Sequence, residues 1–319
     1  MVIRNKDVIQ SYVLSTAKYD FSVYEKRILY RLVEMVQFSM EGQKLDKYYS
    51  IQPNLFGDMT GVTMPLSAFL KDVNDQNYLE VKKALTSLRN KTLEFEDDHM
   101  WKLIGLIEIP KYVKKGYVQF QIHPEIYEAI LNFSKGFRKY ELKTAMSFDS
   151  VYSMRFYELL SGQKSPLIYT IDHLKMMFKV ELKYKLTADF IRKVIDTAKN
   201  ELDKKSPYSF EYKALKNGRK IVSIKFYPVF KSENRDPNLE RNDLKKQTSL
   251  RWDLEKMVIN YLTENFFFTE TQIKNNLELF IVAQSKVDLL YELSLIKAKA
   301  MEANNPQGYV IGVLKKLVK

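Results

Sequence analysis

A helix predicted over residues 187–205 carries polar side chains whose types suit the reading of DNA bases. Its apolar stripe runs from Phe190 to Leu202 and leaves cations, carboxylates and an amide on the opposite face. Arginine and lysine bond guanine edges or phosphates, and asparagine pairs with adenine. A solvated face with Lys and Asp at i,i+4 spacing is the alternative interpretation. The candidate DNA contacts on this face and just before it are Lys183, Lys185, Thr187, Asp189, Arg192, Lys193, Asp196, Lys199 and Asn200.

A basic hairpin turn follows this helix and favours the DNA interpretation. The stretches FEYKAL and IVSIKFYPVF have the β-branched and aromatic residues of strands, and KNGRK lies between them. The Asn217-Gly218 pair is the strongest short-range signal for a hairpin turn. We expect this turn to act as a wing against the phosphate backbone, through Lys216, Asn217, Arg219 and Lys220.

An earlier region of the chain repeats the pattern of helix and hairpin. A helix predicted over residues 77–91 is followed by a hairpin with a basic turn at Lys111, Lys114 and Lys115. The helix is shorter and the hairpin more acidic than in the later region. We therefore expect mainly phosphate contacts here, or a subunit interface. The candidate contacts are Lys82, Lys83, Ser87, Arg89, Asn90 and Lys91.

The elements that must position these side chains occur twice in the same order. Each region reads as a helix, a short helix, a longer helix and a β-hairpin, which is the order of a winged helix-turn-helix. The first begins with a capping box at Ser22 and Glu25, and Thr187 is predicted to cap the later reading helix. The predicted fold class is α+β, with two tandem winged helix-turn-helix domains and a small helical C-terminal extension. The predicted boundaries are 1–135, 136–231, a linker at 232–249 and the extension at 250–319, with residues 134–145 as a connection.

Composition points to a polyanionic partner. Lys and Arg outnumber Asp and Glu by 51 to 39, which gives a net charge of +12. A basic globular protein favours nucleic acid through attraction and counterion release. The absence of cysteine excludes disulfides and thiolate zinc sites, and no apolar run is long enough to cross a membrane. We expect a cytoplasmic protein without membrane contact.

Catalytic constellations are missing from the sequence. His99, His123 and His173 lie far apart, and a rolling-circle nickase would need two histidines around one apolar residue. No phosphate-binding glycine loop and no dense carboxylate cluster occurs. We therefore expect neither an enzyme nor a resident metal or cofactor.

The second region resembles the C-terminal winged helix of iteron-binding plasmid replication initiators. The resemblance is carried by SVYSMRFYELLSG, LTADFIRKVIDTAKNEL and YKALKNGRKIVSIKF, and the opening NKDVIQSYVLSTAKYDFSVYEKRILYRLV resembles the start of the same family. It covers about residues 1–230. It implies two related winged helices, a main base-reading helix at 187–203 and a second contact helix at 77–91. Residues 231–319 lie outside it.

The resemblance also implies partners. Monomers would bind directly repeated origin sites, open the adjacent duplex and recruit host initiator and helicase-loading proteins. Dimers joined through the first domain would repress the protein's own gene. Two alternatives stay open at this point: a dimeric winged-helix transcriptional repressor, and a DNA nicking enzyme, which the missing His-x-His disfavours. For the helical extension we expect an accessory module for partner binding or oligomerisation.

Overall fold

The computed structural model describes residues 5–11, 19–40, 45, 47–53, 59–72, 74–96, 100–113, 116–131, 137–248 and 254–318. Two compact units result. The first contains both predicted winged-helix regions and ends at Arg235, and the second is formed mainly by residues 236–319. Helices and strands alternate through the first unit, as the α+β prediction requires, while the described residues beyond 236 are helical.

The N-terminal region is built on one long helix and a four-stranded sheet. The capping box predicted at Ser22 and Glu25 is present: the Ser22 amide donates to Glu25 Oε2 at 2.6 Å, and the Glu25 amide donates to Ser22 Oγ at 3.3 Å. The elements are β1 (Asp7–Ser11), α1 (Val23–Met40), β2 (Ser50–Pro53), β3 (Thr60–Pro65), α2 (Tyr78–Arg89), β4 (Thr92–Glu96), β5 (Trp101–Gly105), β6 (Glu108–Val113), β7 (Tyr117–Ile122) and α3 (Pro124–Leu131).

Strand pairing in this region differs from the sequence expectation. A single hairpin is predicted after the helix at 77–91, but the chain before the basic turn divides into two strands, β5 and β6, around buried Leu106 and Ile107. Strand β5 pairs with β4, and β6 joins a separate antiparallel sheet of order β2-β3-β7-β6. The sheet edge β2 and the central strand β3 lie in a stretch that the sequence predicted as loose.

The second region follows the predicted order closely. Its elements are β8 (Phe137–Glu141), α4 (Leu142–Ser147), α5 (Val151–Leu160), β9 (Leu167–Thr170), α6 (Ile171–Phe178), a helical stretch in three parts that we call α7 (Thr187–Phe190, Ile191–Asp196 and Thr197–Lys205), β10 (Tyr208–Asn217) and β11 (Lys220–Phe230). Strand β9 was not predicted. It pairs with β11 and makes the wing hairpin part of a three-stranded sheet of order β10-β11-β9.

Two predicted irregular segments contain regular structure. Residues 134–145 were predicted as a connection, but they supply β8, which pairs with β1, and most of α4. The segment 232–249 was predicted as a linker because its composition is polar, yet Pro237–Thr248 forms a helix, α8. A helix with few apolar side chains gives a weak periodic signal, which is why composition alone suggested a linker.

An aromatic triad fixes the second region. Phe156 of α5, Phe210 of β10 and Phe226 of β11 are fully buried. Their ring centroids are 5.2 to 5.4 Å apart, the spacing of favourable aromatic pairs. The triad therefore holds the wing strands β10 and β11 against α5.

Charged side chains are buried where α1 meets α5. Lys26 Nζ lies 2.5 Å from Glu158 Oε1, and the two side chains are 2% and 0% exposed. Gln10 Nε2 donates to the same carboxylate at 3.1 Å, and Gln10 Oε1 accepts from the Tyr140 hydroxyl at 2.6 Å. Burial lowers the pKa of Lys26, and Glu158 opposes that shift. This network joins α1 and β1 to α5 and β8.

Arg235 closes the first compact unit. Its guanidinium bonds both carboxylate oxygens of Asp7 at 2.9 and 3.0 Å and Glu141 Oε1 at 2.9 Å. The end of the second region is thus tied to β1 and β8, four residues beyond the boundary predicted at 231.

The helices that follow α8 lie in the range 250–319, where a helical extension is predicted. They are α9 (Lys256–Phe266), α10 (Glu270–Asn275), α11 (Leu277–Lys286), α12 (Leu289–Glu302) and α13 (Pro306–Val318). Phe266, Phe280, Leu293 and Val310 are fully buried among them. In the part of the chain that the structure describes, no helix is both long and apolar enough to cross a membrane.

Candidate nucleic-acid interface

The reading helix α7 contains a wide, π-helical turn at Ile191–Asp196 between two α-helical segments. Its fully buried residues are Phe190, Val194, Ile195, Ala198 and Leu202, and all of them except Ile195 are spaced by four. An α-helix turns 3.6 residues at a time, so a strict four-residue spacing drifts around the axis. The wider turn corrects this drift and keeps all four side chains in the core. Wide turns of this kind are rare and occur frequently at functional sites.

The wide turn changes which polar side chains face outward. Arg192, Lys193 and Asn200 are exposed as predicted. Arg192 Nη2 pairs with Asp189 Oδ1 at 2.7 Å on the surface. Asp196 and Lys199 were predicted to face outward, but both are half-buried against the wing strand β10. The prediction assumed a uniform helical period across residues where the period is wider.

Asp196 and Lys199 connect the reading helix to the wing. The Tyr212 hydroxyl donates to Asp196 Oδ1 at 2.7 Å. Burial and this bond to a carboxylate raise the pKa of Tyr212 to about 12. Lys199 Nζ lies 2.7 Å from Glu211 Oε1 and 2.8 Å from Asp203 Oδ2. Burial lowers the pKa of Lys199, but the two carboxylates outweigh it and raise the pKa overall.

A second set of bonds holds α7 on α5. Glu201 accepts from the backbone amides of Asp149 and Ser150 at 2.8 and 3.1 Å, where α5 begins. Lys205 Nζ pairs with Glu201 at 2.6 Å and with Asp149 at 2.9 Å. Burial raises the pKa of Glu201, but these hydrogen bonds, above all that from Lys205, lower it overall. The outer face of α7 is therefore presented on a rigid support.

The loop before α7 is anchored from inside. Val180 and Tyr184 are buried, and Lys175 Nζ donates to the Tyr184 carbonyl at 2.7 Å. The exposed Lys183 donates to the Tyr152 hydroxyl at 3.3 Å, and Lys185 is exposed. Thr187 is the first helical residue rather than the predicted cap, since Leu186 occupies the cap position and no side chain caps there.

The wing presents its predicted basic side chains to solvent. Strands β10 and β11 pair from Tyr208 opposite Phe230 to Asn217 opposite Lys220. Gly218 in the turn has φ +60°, a left-handed conformation that glycine adopts without strain. The exposed turn residues are Lys216, Asn217, Arg219 and Lys220. Sequence reasoning missed Lys213 and Lys179, two exposed cations near the same elements. Lys179 ends α6 with φ 54°, and no sequence signal marks a lysine for that position.

The N-terminal contact helix α2 keeps only part of its predicted set free for a ligand. Lys82 and Asn90 are exposed and Ser87 is half-buried. Lys83 pairs with Glu80 at 2.7 Å and Arg89 with Glu108 at 3.5 Å, both on the surface. Lys91 is instead held inside the protein.

Lys91 joins the chain that follows α2 to the start of α1. Its Nζ lies 2.7 Å from Glu25 Oε1 and 3.0 Å from the Asp20 carbonyl, and its side chain is 15% exposed. The sequence placed it on the outer surface because nothing in the local pattern reveals a partner 66 residues away. The turn lysines Lys114 and Lys115 and the histidine His99 lie outside the described residues.

Asp75 positions the start of α2. It accepts from the backbone amides of Lys71 and Asn77 at 3.1 Å each, from the Tyr24 hydroxyl and from Arg27 Nη1 at 3.2 Å. Burial raises the pKa of Asp75, but the hydrogen bonds outweigh it and lower the pKa. Asn77 was predicted to cap α2, yet its side chain donates to Asp75 and makes no cap bond.

The remaining histidines have local partners. His123 lies against Glu125, and the His173 ring stacks on Tyr169 with centroids 5.6 Å apart. Over the described ranges, no group of three or more His, Asp or Glu side chains has the arrangement of a metal site.

Comparison with known proteins places both regions in one family. Residues 7–161 match the family model described as "Initiator Replication protein, WH1", and residues 170–228 match "Initiator Rep protein, WH2". One similar solved structure is the Pi initiator protein, crystallised in complex with iteron DNA. It is 20% identical, with a TM-score of 0.55 over 71% of this chain and 98% of that chain. At that identity the likeness supports the fold alone.

The fold and the matched regions define a protein with two tandem winged-helix domains, as predicted. The two matched ranges together span most of the chain, and the chain belongs to the family of replication initiator (Rep) proteins. The family resemblance stated from the sequence is thereby confirmed.

Proposed function

We propose that this initiator binds directly repeated duplex DNA at a plasmid origin and reads it mainly through α7. The observation that carries the proposal is the exposed set of Arg192, Lys193 and Asn200 on a helix that is fixed to a basic wing. Arginine and asparagine give base discrimination, and the wing lysines give phosphate contacts. The Pi initiator protein, whose fold is similar, was crystallised with iteron DNA, which supports repeats of that kind as the ligand.

The proposed contact surface is smaller than the sequence set. Asp196, Lys199 and Lys91 position elements through internal bonds, so we leave them out of it. The surface then comprises Lys183, Lys185, Thr187, Asp189, Arg192, Lys193, Asn200, Lys216, Asn217, Arg219 and Lys220, with Lys82, Lys83, Ser87, Arg89 and Asn90 as the second contact.

The finer roles that we propose are those that the family resemblance implies. The N-terminal domain supplies secondary DNA contacts and the surface for a homodimer that represses the protein's own gene. Bound monomers help open the duplex and recruit host initiator and helicase-loading proteins in the cytoplasm. The protein acts by differential binding to DNA, not by catalysis.

Footprinting on the region upstream of the protein's own gene tests the proposal. We expect protection of several direct repeats of one spacing, with permanganate-reactive thymines appearing in the adjacent AT-rich stretch when the repeats are occupied. Monomer and dimer fractions are tested separately, and the dimer is expected to protect a different, operator-type site. Protection of a single inverted repeat by both fractions, without duplex opening, would favour a repressor instead.

A further inference from the structure

Three leucines stand out from the described residues by their exposure. Leu182 is 94% exposed, Leu79 is 74% exposed and Leu186 is 68% exposed, and no other large apolar side chain in the described ranges is as exposed as these. Single exposed leucines are ordinary. What requires an explanation is that all three lie at or just before the N-terminus of a helix with predicted DNA contacts, either the contact helix α2 or the reading helix α7. Leu79 is the second residue of α2, Leu186 occupies the cap position of α7, and Leu182 lies in the loop before it.

Hydrogen bonds and buried neighbours fix the backbone at these positions, so the three leucine side chains are held at the surface. In the second domain, Val180 and Tyr184 alternate inward with Leu182 and Leu186 outward. The Tyr184 amide donates to the Val180 carbonyl at 3.3 Å, and the Phe190 amide donates to the Leu186 carbonyl at 3.1 Å. In the first domain, Asp75 holds the residues that precede α2 through the amides of Lys71 and Asn77.

The surroundings of the leucines identify the partner. Exposed Lys179, Lys183 and Lys185 flank Leu182 and Leu186. Lys82 lies one turn after Leu79 on the same helix face, beside Lys83, which pairs with Glu80. A protein partner that buried these leucines would also have to neutralise the surrounding cations. Duplex DNA does both, because phosphates neutralise lysine while the major groove presents one apolar group, the thymine 5-methyl.

We propose that Leu79 and Leu186 are specificity-determining residues that contact thymine 5-methyl groups, one in each half of the bound site, with Leu182 adjoining Leu186. The N-terminal residues of a recognition helix are those that reach base edges. A leucine at that place selects thymine over cytosine, because only thymine carries the methyl group. The inference rests on the proposed function and adds a hydrophobic component to a site otherwise read by cations and an amide.

Replacement of thymidine by deoxyuridine tests the proposal, because it removes only the methyl group. The probe is a duplex that the wild-type chain selects from a random-sequence pool, resynthesised with deoxyuridine at one thymidine position at a time. We expect one or more positions at which wild-type affinity falls about fourfold per methyl contact. Leu186→Ala should bind the thymidine duplex more weakly by a similar factor and should no longer respond to one such position. Leu79→Ala should lose its response to a different position.

Leu295→Ala is the matched control, since Leu295 is 57% exposed on α12 of the C-terminal unit and should bind all duplexes as the wild type does. Thermal unfolding should be unchanged for all three variants. Equal losses on thymidine and deoxyuridine duplexes, or no loss for either leucine variant, would overturn the methyl contact. If the wild type selects no sequence from the pool, the proposed function itself fails, and this inference fails with it.

Discussion

The Tyr212 hydroxyl donates a 2.7 Å hydrogen bond to Asp196, and this bond joins the wing strand β10 to the wide turn of the reading helix α7. The two elements that we propose to contact DNA at different places are thereby held in one geometry. Lys199 and Glu211 add an ion pair one helical turn further on. Under the proposed function, base reading requires side chains on α7 to keep a fixed register relative to the phosphates at the wing, and we expect this connection to maintain that register.

Tyr212→Phe should separate recognition from stability. The variant keeps the ring in the core but leaves Asp196 without its hydroxyl donor, which should lower the free energy of unfolding by about 1 kcal/mol. We expect specific DNA affinity to fall severalfold while non-specific affinity is retained, because only the relative placement of helix and wing changes. Urea unfolding and competition gel shifts measure the two effects. Tyr227→Phe, on an exposed residue of β11, is the control. Equal losses on specific and random duplexes would speak against a positioning role.

Lys220→Ala should weaken binding to every sequence alike. Lys220 is exposed beside the wing turn, where the proposed function gives it a phosphate contact. The slope of log affinity against log salt should fall by about one unit. Lys91→Gln provides the contrast, since Lys91 is paired with Glu25 inside the protein. It should lose stability and keep the wild-type salt slope. A reduced salt slope for Lys91→Gln would indicate that Lys91 contacts DNA.

Acid should loosen α7 from α5 through Glu201. Burial raises the pKa of Glu201, but hydrogen bonds, above all that from Lys205, outweigh burial and hold the folded-state pKa below the ordinary value of 4.5. A depressed carboxylate pKa gives stability that is fully present above pH 4.5 and is lost as pH falls through the folded-state pKa. Glu201→Gln should therefore lower the stability at neutral pH and flatten its decline in acid. Unfolding free energies measured across this pH range check the sign, and a decline as steep as that of the wild type would exclude Glu201 as a contributor.

Removal of one member of the buried pair Lys26–Glu158 should be strongly destabilising. Lys26→Met leaves Glu158 buried with Gln10 as a remaining donor, and breaking such a pair costs about 3–5 kcal/mol. The double variant Lys26→Met/Glu158→Leu should be less damaging than the sum of the single variants, because no unpaired charge stays buried. A double-mutant cycle by chemical unfolding measures the coupling. Additive effects would show that the two charges are independently solvated.

Local signals in the sequence predicted a large part of this fold. The stripe Phe190 to Leu202, the capping box at Ser22 and the Asn217-Gly218 turn each depend on neighbouring residues, and all three are present. The strands β1, β3, β8 and β9 were missed because they have partners far along the chain, and β2 was missed because it has only 4 residues. Strand pairing at such distances leaves no local pattern.

The candidate site likewise combines features that neighbouring residues predict with features that depend on partners far along the chain. Exposed Arg192, Lys193 and the wing lysines follow from periodicity and turn chemistry. The internal roles of Lys91 and Asp196 depend on partners that only the folded chain brings near. The wide turn in α7 has no sequence signal, and it moved Asp196 and Lys199 away from the outer face. The exposure of Leu186 was not predicted, because a leucine before a helix ordinarily suggests core packing.

The most direct test of the account is the specificity ratio of Arg192→Ala at one fixed salt concentration. The measurement compares affinity for the footprinted repeat with affinity for a scrambled duplex of the same composition. We predict that the variant loses about 1–3 kcal/mol on the repeat, with preference relaxed at one or two base positions, and binds the scrambled duplex nearly as the wild type does. Unchanged affinity of Arg192→Ala for the repeat would contradict the assignment of α7 as the base-reading helix.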